Sequence, residues 1–431
     1  MAPSSKAIFL LLSLQLEFLC SQVLANLKTP RAPLHNQIFF NNLNRSDDKS
    51  RGDRKLKEGF DFNFALTAPQ LIVKNGYKVE IHRVFTPDGY ILEAHRIPAP
   101  GRPVVFAYHG MMQSSRDFLM NSGRKAFAYK MADAGYDVWL GNARGNSYSR
   151  RHTYLKTDTY AFWDYSVDEI IEYDVPAYID YVLAVTGQGK INWVGYSLGS
   201  AVMFGLMSTK PAYNDKVNLF FSLGTTAYVG RSKSPLLRII APLENLQEKI
   251  SNLVNHGEYL PQFFFPIMRT LFPLFCYPEA KLNLVGICSF FLFVVAGFNK
   301  PQANPSILPL MLGGTPSSVS VKMLGQWYQW INSGKFTHYD YGRVGNLKRY
   351  NSPSPPAYDL TKVNVKTVNI WAENDWLSVP SDVRSVVMEL PNVIANVRID
   401  MDTFNHLDFI YAKDADRLVY DKILGFLDMY T

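Results

Sequence analysis

The pentapeptide Gly195-Tyr196-Ser197-Leu198-Gly199 constrains what this chain can fold into more than any other stretch. An apolar run, Ile191 to Val194, leads into it, and a second, Ala201 to Met207, leads out. The order reads as buried strand, sharp turn, helix. A serine at such a turn stands clear of its sheet, and the two glycines let neighbouring backbone pass where a Cβ would clash. The amide of Leu198, at the helix N-terminus, then faces any negative charge that develops beside the Ser197 hydroxyl. Ser197 is the candidate nucleophile; the bland alternative for a bare Gly-x-Ser-x-Gly is an ordinary Gly/Ser turn.

The surrounding pattern places that turn in a sheet. Val79 to Val84 and Tyr90 to Arg96 alternate around Thr86-Pro87-Asp88-Gly89 and read as a hairpin. Pro103 to Tyr108 and Tyr136 to Leu140 are continuous apolar runs, as expected of strands buried on both faces. A helical pattern covers Val167 to Val185, kinked or restarted at Pro176, and further strands are expected at Val217 to Leu223, Val368 to Ala372 and Ile394 to Ile399. A helix-like segment, Ser381 to Leu390, lies between the last two, and a closing helix carries Ala415, Leu418, Val419, Ile423, Phe426, Leu427 and Tyr430 as an apolar stripe. Strands alternating with helices predict an α/β fold around a mostly parallel sheet, whose chemistry gathers at the C-terminal strand ends.

The alternation breaks between about Ala227 and Gly342, an interval rich in Pro and aromatics. Its nearly uncharged run, Leu282 to Phe298, is about 17 residues, at the lower limit for a helix crossing ~30 Å of hydrocarbon. Inside this pattern it reads as a cap helix over an apolar site rather than a membrane span.

Residues 1–25 have the form of a secretory leader, with Lys6 ahead of an apolar stretch and Val23-Leu24-Ala25 at the cleavage positions, leaving no transmembrane anchor once removed. In an oxidising compartment Cys276 and Cys288 could pair; the alternative is two buried thiols. Residues 26–66 form a polar extension: from Asn26 to Phe60, eight Lys and Arg stand against four acids, so over half of the net charge of +7 sits there. The body is only mildly basic, which argues against nucleic acid as a partner. Asn44-Arg45-Ser46 is a glycosylation acceptor sequence.

A serine hydroxyl needs a base to take its proton, and the base needs an acid to fix its tautomer. His406 lies in the loop between the last strand and the last helix, and Asp375 just after a strand, so Ser197, Asp375 and His406 follow one another in the chain order of α/β-hydrolases. Asp382 is an alternative acid, although it falls inside a helical pattern; Asp408 follows His406 too closely to support it. His109, after a strand, reads as positioning the loop that supplies a second oxyanion donor, Met111 N–H. His152 reads as a hydrogen-bonding loop residue, and His82 and His95 come too early for the triad. This chemistry calls for no cofactor and no metal.

These residues also carry a resemblance. His109-Gly110-Met111-Met112 with Ser114, Ser115 and Asn121, Gly141-Asn142-Ala143-Arg144-Gly145-Asn146 with Ser149 and His152, and Phe162-Trp163-Asp164-Tyr165-Ser166 with Glu169 and Asp174-Val175-Pro176 are similar to motifs of the acid lipase family. So are the elbow, Asn374-Asp375 and Asn405-His406-Leu407-Asp408-Phe409-Ile410. The resemblance runs from about Pro69 to Tyr430. It implies an α/β-hydrolase core in two parts, 67–226 and 343–431, with a cap and lid inserted at 227–342. It also implies secretion or lysosomal delivery, and hydrolysis of acylglycerols or sterol esters at a lipid–water interface. Carried over by motif, Ser197 is nucleophile, Asp375 orienter and His406 base, Met111 and Leu198 give the oxyanion amides, and Cys276 and Cys288 form the cap disulfide. The family elbow usually reads Gly-His-Ser-Gln-Gly, so Tyr196 and Leu198 are departures. A carboxylesterase for small soluble esters and a non-catalytic lipid carrier are the rival readings, told apart by the response to an interface and by labelling of Ser197.

Overall fold

Strands β3 (Val104–Tyr108), β4 (Asp137–Leu140) and β6 (Ile191–Tyr196) are buried at every residue, the outcome their largely apolar runs predict, with Asp137 and Asn192 as the polar exceptions. In the computed structural model, which describes residues 66–121, 123–260, 276 and 285–431, they lie at the middle of a sheet ordered β1-β2-β4-β3-β6-β7-β10-β11. The antiparallel edge is the predicted hairpin, β1 (Glu80–Phe85) and β2 (Tyr90–Ile97), with the short β5 (Arg151–His152) also paired to β2. From β4 onward, through β7 (Val217–Leu223), β10 (Lys366–Trp371) and β11 (Val393–Arg398), every pairing is parallel. The leader, residues 26–65 of the extension and Asn44 lie outside the described residues.

Alternation along β3 builds two cores. Phe106 and Tyr108 point into one apolar cluster, Val105 and Ala107 into the other. Helices α1 (Ala68–Lys74) and α2 (Phe127–Asp133) cover the second face. Helices α3 (Val175–Thr186) and α4 (Leu198–Thr209) cover the first. The helix expected over 167–185, kinked or restarted at Pro176, runs unbroken from Val167 to Thr186 and carries a π segment just ahead of that proline. Residues Ile170–Asp174 form a π turn in which Val175 N–H reaches back five residues to Ile170 O, and Pro176, which has no N–H to place, sits in the first turn of α3.

Between β7 and β10 the described residues add no strand to the main sheet. They form α5 (Pro235–Ile240), α6 (Glu244–Asn255), α7 (Val285–Ala296), α8 (Leu308–Leu312) and α9 (Val321–Ser333), with a two-stranded ribbon of β8 (Glu258–Tyr259) and β9 (Val319–Ser320). Met323, Leu324, Trp327, Trp330 and Ile331 of α9 join the first core cluster, so α9 shares a core with the sheet. The apolar run expected as a cap helix is α7, and among the described residues no helix is long and apolar enough to cross a membrane. Cys288 in α7 is disulfide-bonded to Cys276. Helix α10 (Gly342–Tyr350) also lies between β7 and β10; α11 (Pro380–Glu389) and the closing α12 (Asp421–Tyr430) complete the layers.

Candidate active site

The elbow is built as its glycines require. Ser197 sits between β6 and α4 at φ 54° and ψ −115°, a conformation held because its N–H bonds to Leu223 O (2.9 Å) in β7. A Cβ on Gly195 would stand 2.4 Å from Gly199 O, and one on Gly199 would stand 2.2 Å from Tyr108 O. Both positions are closed to any side chain, so the turn packs backbone to backbone against its own helix and the end of β3.

Around that serine the loops after β10 and β11 converge. His406 Nδ1 donates to Asp375 Oδ2 (2.7 Å), and Nε2 lies 2.9 Å from Ser197 Oγ. Asp375 Oδ1 accepts from Leu377 N (2.9 Å) and Ser378 N (2.7 Å), so both carboxylate oxygens are engaged and the aspartate cannot swing away. With Nδ1 protonated toward the carboxylate, Nε2 is the acceptor for the serine proton. All three side chains are buried. Asp382, the alternative acid, is held by Arg231 instead, through N (2.9 Å) and Nη1 (3.1 Å). Asp408 accepts from Asn405 N (2.8 Å) and Asn299 Nδ2 (2.6 Å), supporting the His406 loop rather than the imidazole. Burial pushes its carboxyl up to about 7 against those two bonds.

The loop after β3 lies beside the serine: a Cβ on Gly110 would be 3.2 Å from Ser197 Cβ. Among the described residues nothing accepts from the N–H of Met111 or Leu198. His109 positions this loop. Its Nδ1 donates to Gly110 O (2.8 Å), and Nε2 accepts from Ala143 N (3.1 Å) in the loop after β4. Burial pushes the imidazole down to about 4, so it stays neutral and keeps the Nε2 lone pair for Ala143. Among the described residues no cluster of His, Cys, Asp or Glu is arranged to hold a metal ion.

A family profile described as a partial alpha/beta-hydrolase lipase region matches residues 68–122, and one described as the alpha/beta hydrolase fold matches 103–264. Lipase 3 of Drosophila melanogaster is 38% identical over 366 residues, covering 83% of this chain and 92% of its own. Gastric triacylglycerol lipase of Bos taurus is 36% identical, covering 84% of this chain and 91% of its own. The chain belongs to the acid lipase family. This lipase is thus a serine ester hydrolase, a hydrolase of carboxylic ester bonds. A solved Sulfolobus solfataricus structure shares the fold, with a TM-score of 0.54 at 13% identity over 82% of this chain and 94% of that one.

Several supports of the lipase's site have partners that the sequence does not specify. Tyr196, in the elbow, donates from its hydroxyl to His406 O (2.9 Å), and its ring packs 5.3 Å from the imidazole. Gln113 Oε1 accepts from Gly110 N (2.9 Å), while its Nε2 donates to Tyr411 OH (2.9 Å), whose proton goes to Asp117 Oδ1. Arg144, in the sequence only one member of a motif, is wholly buried: Nε and Nη2 bind Asp174 (2.8 and 2.6 Å), Nη1 binds Asp88 (2.6 Å), and the guanidinium lies 4.0 Å from the Tyr90 ring centroid. It ties the loop after β4 to the hairpin turn and the π turn. His152 Nε2 donates to Asp88 O (2.9 Å), the loop role expected of it, and His95 is spent on Ser115 Oγ (2.8 Å) and Glu93 Oε1 (2.9 Å).

Proposed function

We propose that this lipase cleaves esters of neutral lipids, acylglycerols or sterol esters, at a lipid–water interface through an acyl-enzyme on Ser197. The observation that carries the reading is the unbroken run of contacts from Ser197 Oγ through both nitrogens of His406 to Asp375. In the first half-reaction Oγ attacks the ester carbonyl carbon while Nε2 takes its proton. The oxyanion accepts from Met111 N–H and Leu198 N–H, each donor supplying on the order of 3 kcal/mol. Collapse breaks the bond to the alcohol, which leaves with the proton from Nε2. Water then attacks the acyl-serine with His406 again as base, releasing the fatty acid and restoring Ser197. Asp375 holds the tautomer and stabilises the imidazolium throughout.

The leader at 1–25, the glycosylation acceptor Asn44 and the Cys276–Cys288 bond support delivery to an oxidising compartment, outside the cell or in the lysosome. In this reading residues 227–342 are the cap and lid between the two parts of the hydrolase core. Neutral lipid is favoured as substrate because the described part of that interval presents apolar side chains, with Phe290 and Phe298 exposed around α7.

Ser197→Ala should lower hydrolysis of a long-chain triacylglycerol emulsion by on the order of 10⁴-fold or more and abolish labelling by a fluorophosphonate. Undiminished turnover in that variant would refute the reading.

A further inference from the structure

Four consecutive residues at the end of α7, Ala296 to Asn299, are each bonded to the loops that carry Asp375 and His406. Ala296 O accepts from Trp376 N (3.2 Å), one residue past the acid, and from His406 N (3.4 Å) itself. Gly297 O accepts from Asn405 Nδ2 (2.8 Å) and Phe298 O from Asn374 Nδ2 (2.8 Å), so carbonyls of this turn hold the residue before the base and the residue before the acid. Asn299 Nδ2 donates to Asp408 Oδ2 (2.6 Å), while its Oδ1 accepts from Thr403 Oγ1 (3.0 Å). The Phe298 ring packs 5.4 Å from the ring of Trp376.

The fit is steric as well as polar. Gly297 has φ 114°, and a Cβ there would stand 2.3 Å from Asn374 O and 3.1 Å from Asn405 Cβ. Only a residue without a side chain can pass between the two loops at that point. Asn299, Asn405 and Asp408 are buried, so a bond lost among them leaves a polar group unpaired, and the arrangement resists drift. The acid and the base sit on loops after different strands, β10 and β11. Their contact of 2.7 Å survives only if those loops keep their separation.

We propose that the turn Ala296–Asn299 positions the catalytic pair by fixing the loop of the acid against the loop of the base, with Asn299 as a positioning residue. The inference rests on the reading of Ser197, Asp375 and His406 as the triad, and it gives the end of α7 a part in keeping Nε2 aimed at Ser197. Because the turn acts through the loops, its loss falls on proton transfer, which both half-reactions need, and leaves substrate binding in place.

Asn299→Leu keeps a side chain of similar volume and deletes both of its bonds. Turnover of p-nitrophenyl butyrate is expressed per serine labelled to completion by a fluorophosphonate, so that unfolded molecules are not counted. On that scale kcat should fall about tenfold with KM changed less than about twofold, as a small misplacement of reacting groups requires. The His406 Nδ1 proton, far downfield in the proton NMR spectrum of the parent because Asp375 shares it, should move upfield or broaden. Asn299→Ser, too short to reach Asp408, takes the place of the leucine variant if that one does not fold. A kcat per labelled serine within about twofold of the parent, a loss that appears in KM instead, or an unmoved Nδ1 proton in a slowed variant overturns the positioning role. Failure of the triad reading is separate: it would show as turnover and labelling that persist in Ser197→Ala, whatever the Asn299 variants do.

Discussion

At the scale of single residues, the departure of the elbow from its family pattern has a structural use. Tyr196 stands directly before Ser197, yet its hydroxyl bonds to the backbone carbonyl of His406, tying two residues 210 positions apart. Tyr196→Phe deletes that bond and keeps the ring against the imidazole. Losing one buried neutral hydrogen bond costs about 1 kcal/mol, which as barrier corresponds to roughly a fivefold fall in rate. The expected outcome in steady-state kinetics across pH is a kcat reduced about fivefold with KM changed less than twofold, as loosening of His406 requires. A kcat equal to that of the parent enzyme would leave Tyr196 with a packing role only. Nothing local marks Tyr196 for this: along the chain it is one more apolar-compatible residue at the end of a buried strand.

At the scale of elements, the elbow works because three backbones meet with no side chain between them. Gly199→Ala would set a methyl 2.2 Å from Tyr108 O and 2.9 Å from Tyr108 C, and neither is a flexible side-chain end. The end of β3 would have to move, and with it His109 and the loop of Met111. Overpacking of this kind costs about 1–3 kcal/mol, so thermal melting should drop by several degrees and ester hydrolysis should fall along with it. A melting temperature and activity equal to those of the parent would show that the close approach is dispensable. The strands of this region were legible in the sequence because burial on both faces demands apolar residues at every position, as in Val104 to Tyr108. The π turn at Ile170–Asp174 was not, because a shift of hydrogen-bond partner by one residue leaves the apolar spacing nearly unchanged; only Pro176 hinted at it.

At the scale of the whole molecule, buried titrating groups pull stability in opposite directions with pH. His109, whose folded value is pushed from 6.5 down to about 4, contributes stability that is present above 6.5 and is lost as pH falls through 4. Asp408, pushed from 3.8 up to about 7, contributes stability that is fully present below 3.8 and is lost as pH rises through 7. Acidification from 7 to 4 thus weakens the fold through one group and strengthens it through the other. Asp408→Asn keeps an acceptor for Asn405 N and Asn299 Nδ2 and removes the titration. Thermal unfolding should show the variant more stable than the parent at pH 7, by up to about 4 kcal/mol, with the advantage shrinking to nothing near pH 4. An advantage independent of pH would mean that the carboxyl does not titrate in this window.

The sequence by itself determined the elements and the chemistry they present: a serine on a strand-to-helix turn, an acid after one strand, a histidine after the next, and an insertion too apolar for a simple crossover. Those features are local, since periodicity and turn chemistry are written into neighbouring residues. Only the tertiary structure decided that Asp375 and not Asp382 meets His406, and that Tyr196, Gln113, Arg144 and Tyr411 brace the loops around it. Ser197 and His406 lie 209 residues apart. A contact across that distance is made by the closing of the sheet and the packing of its layers, and leaves no periodic trace along the chain.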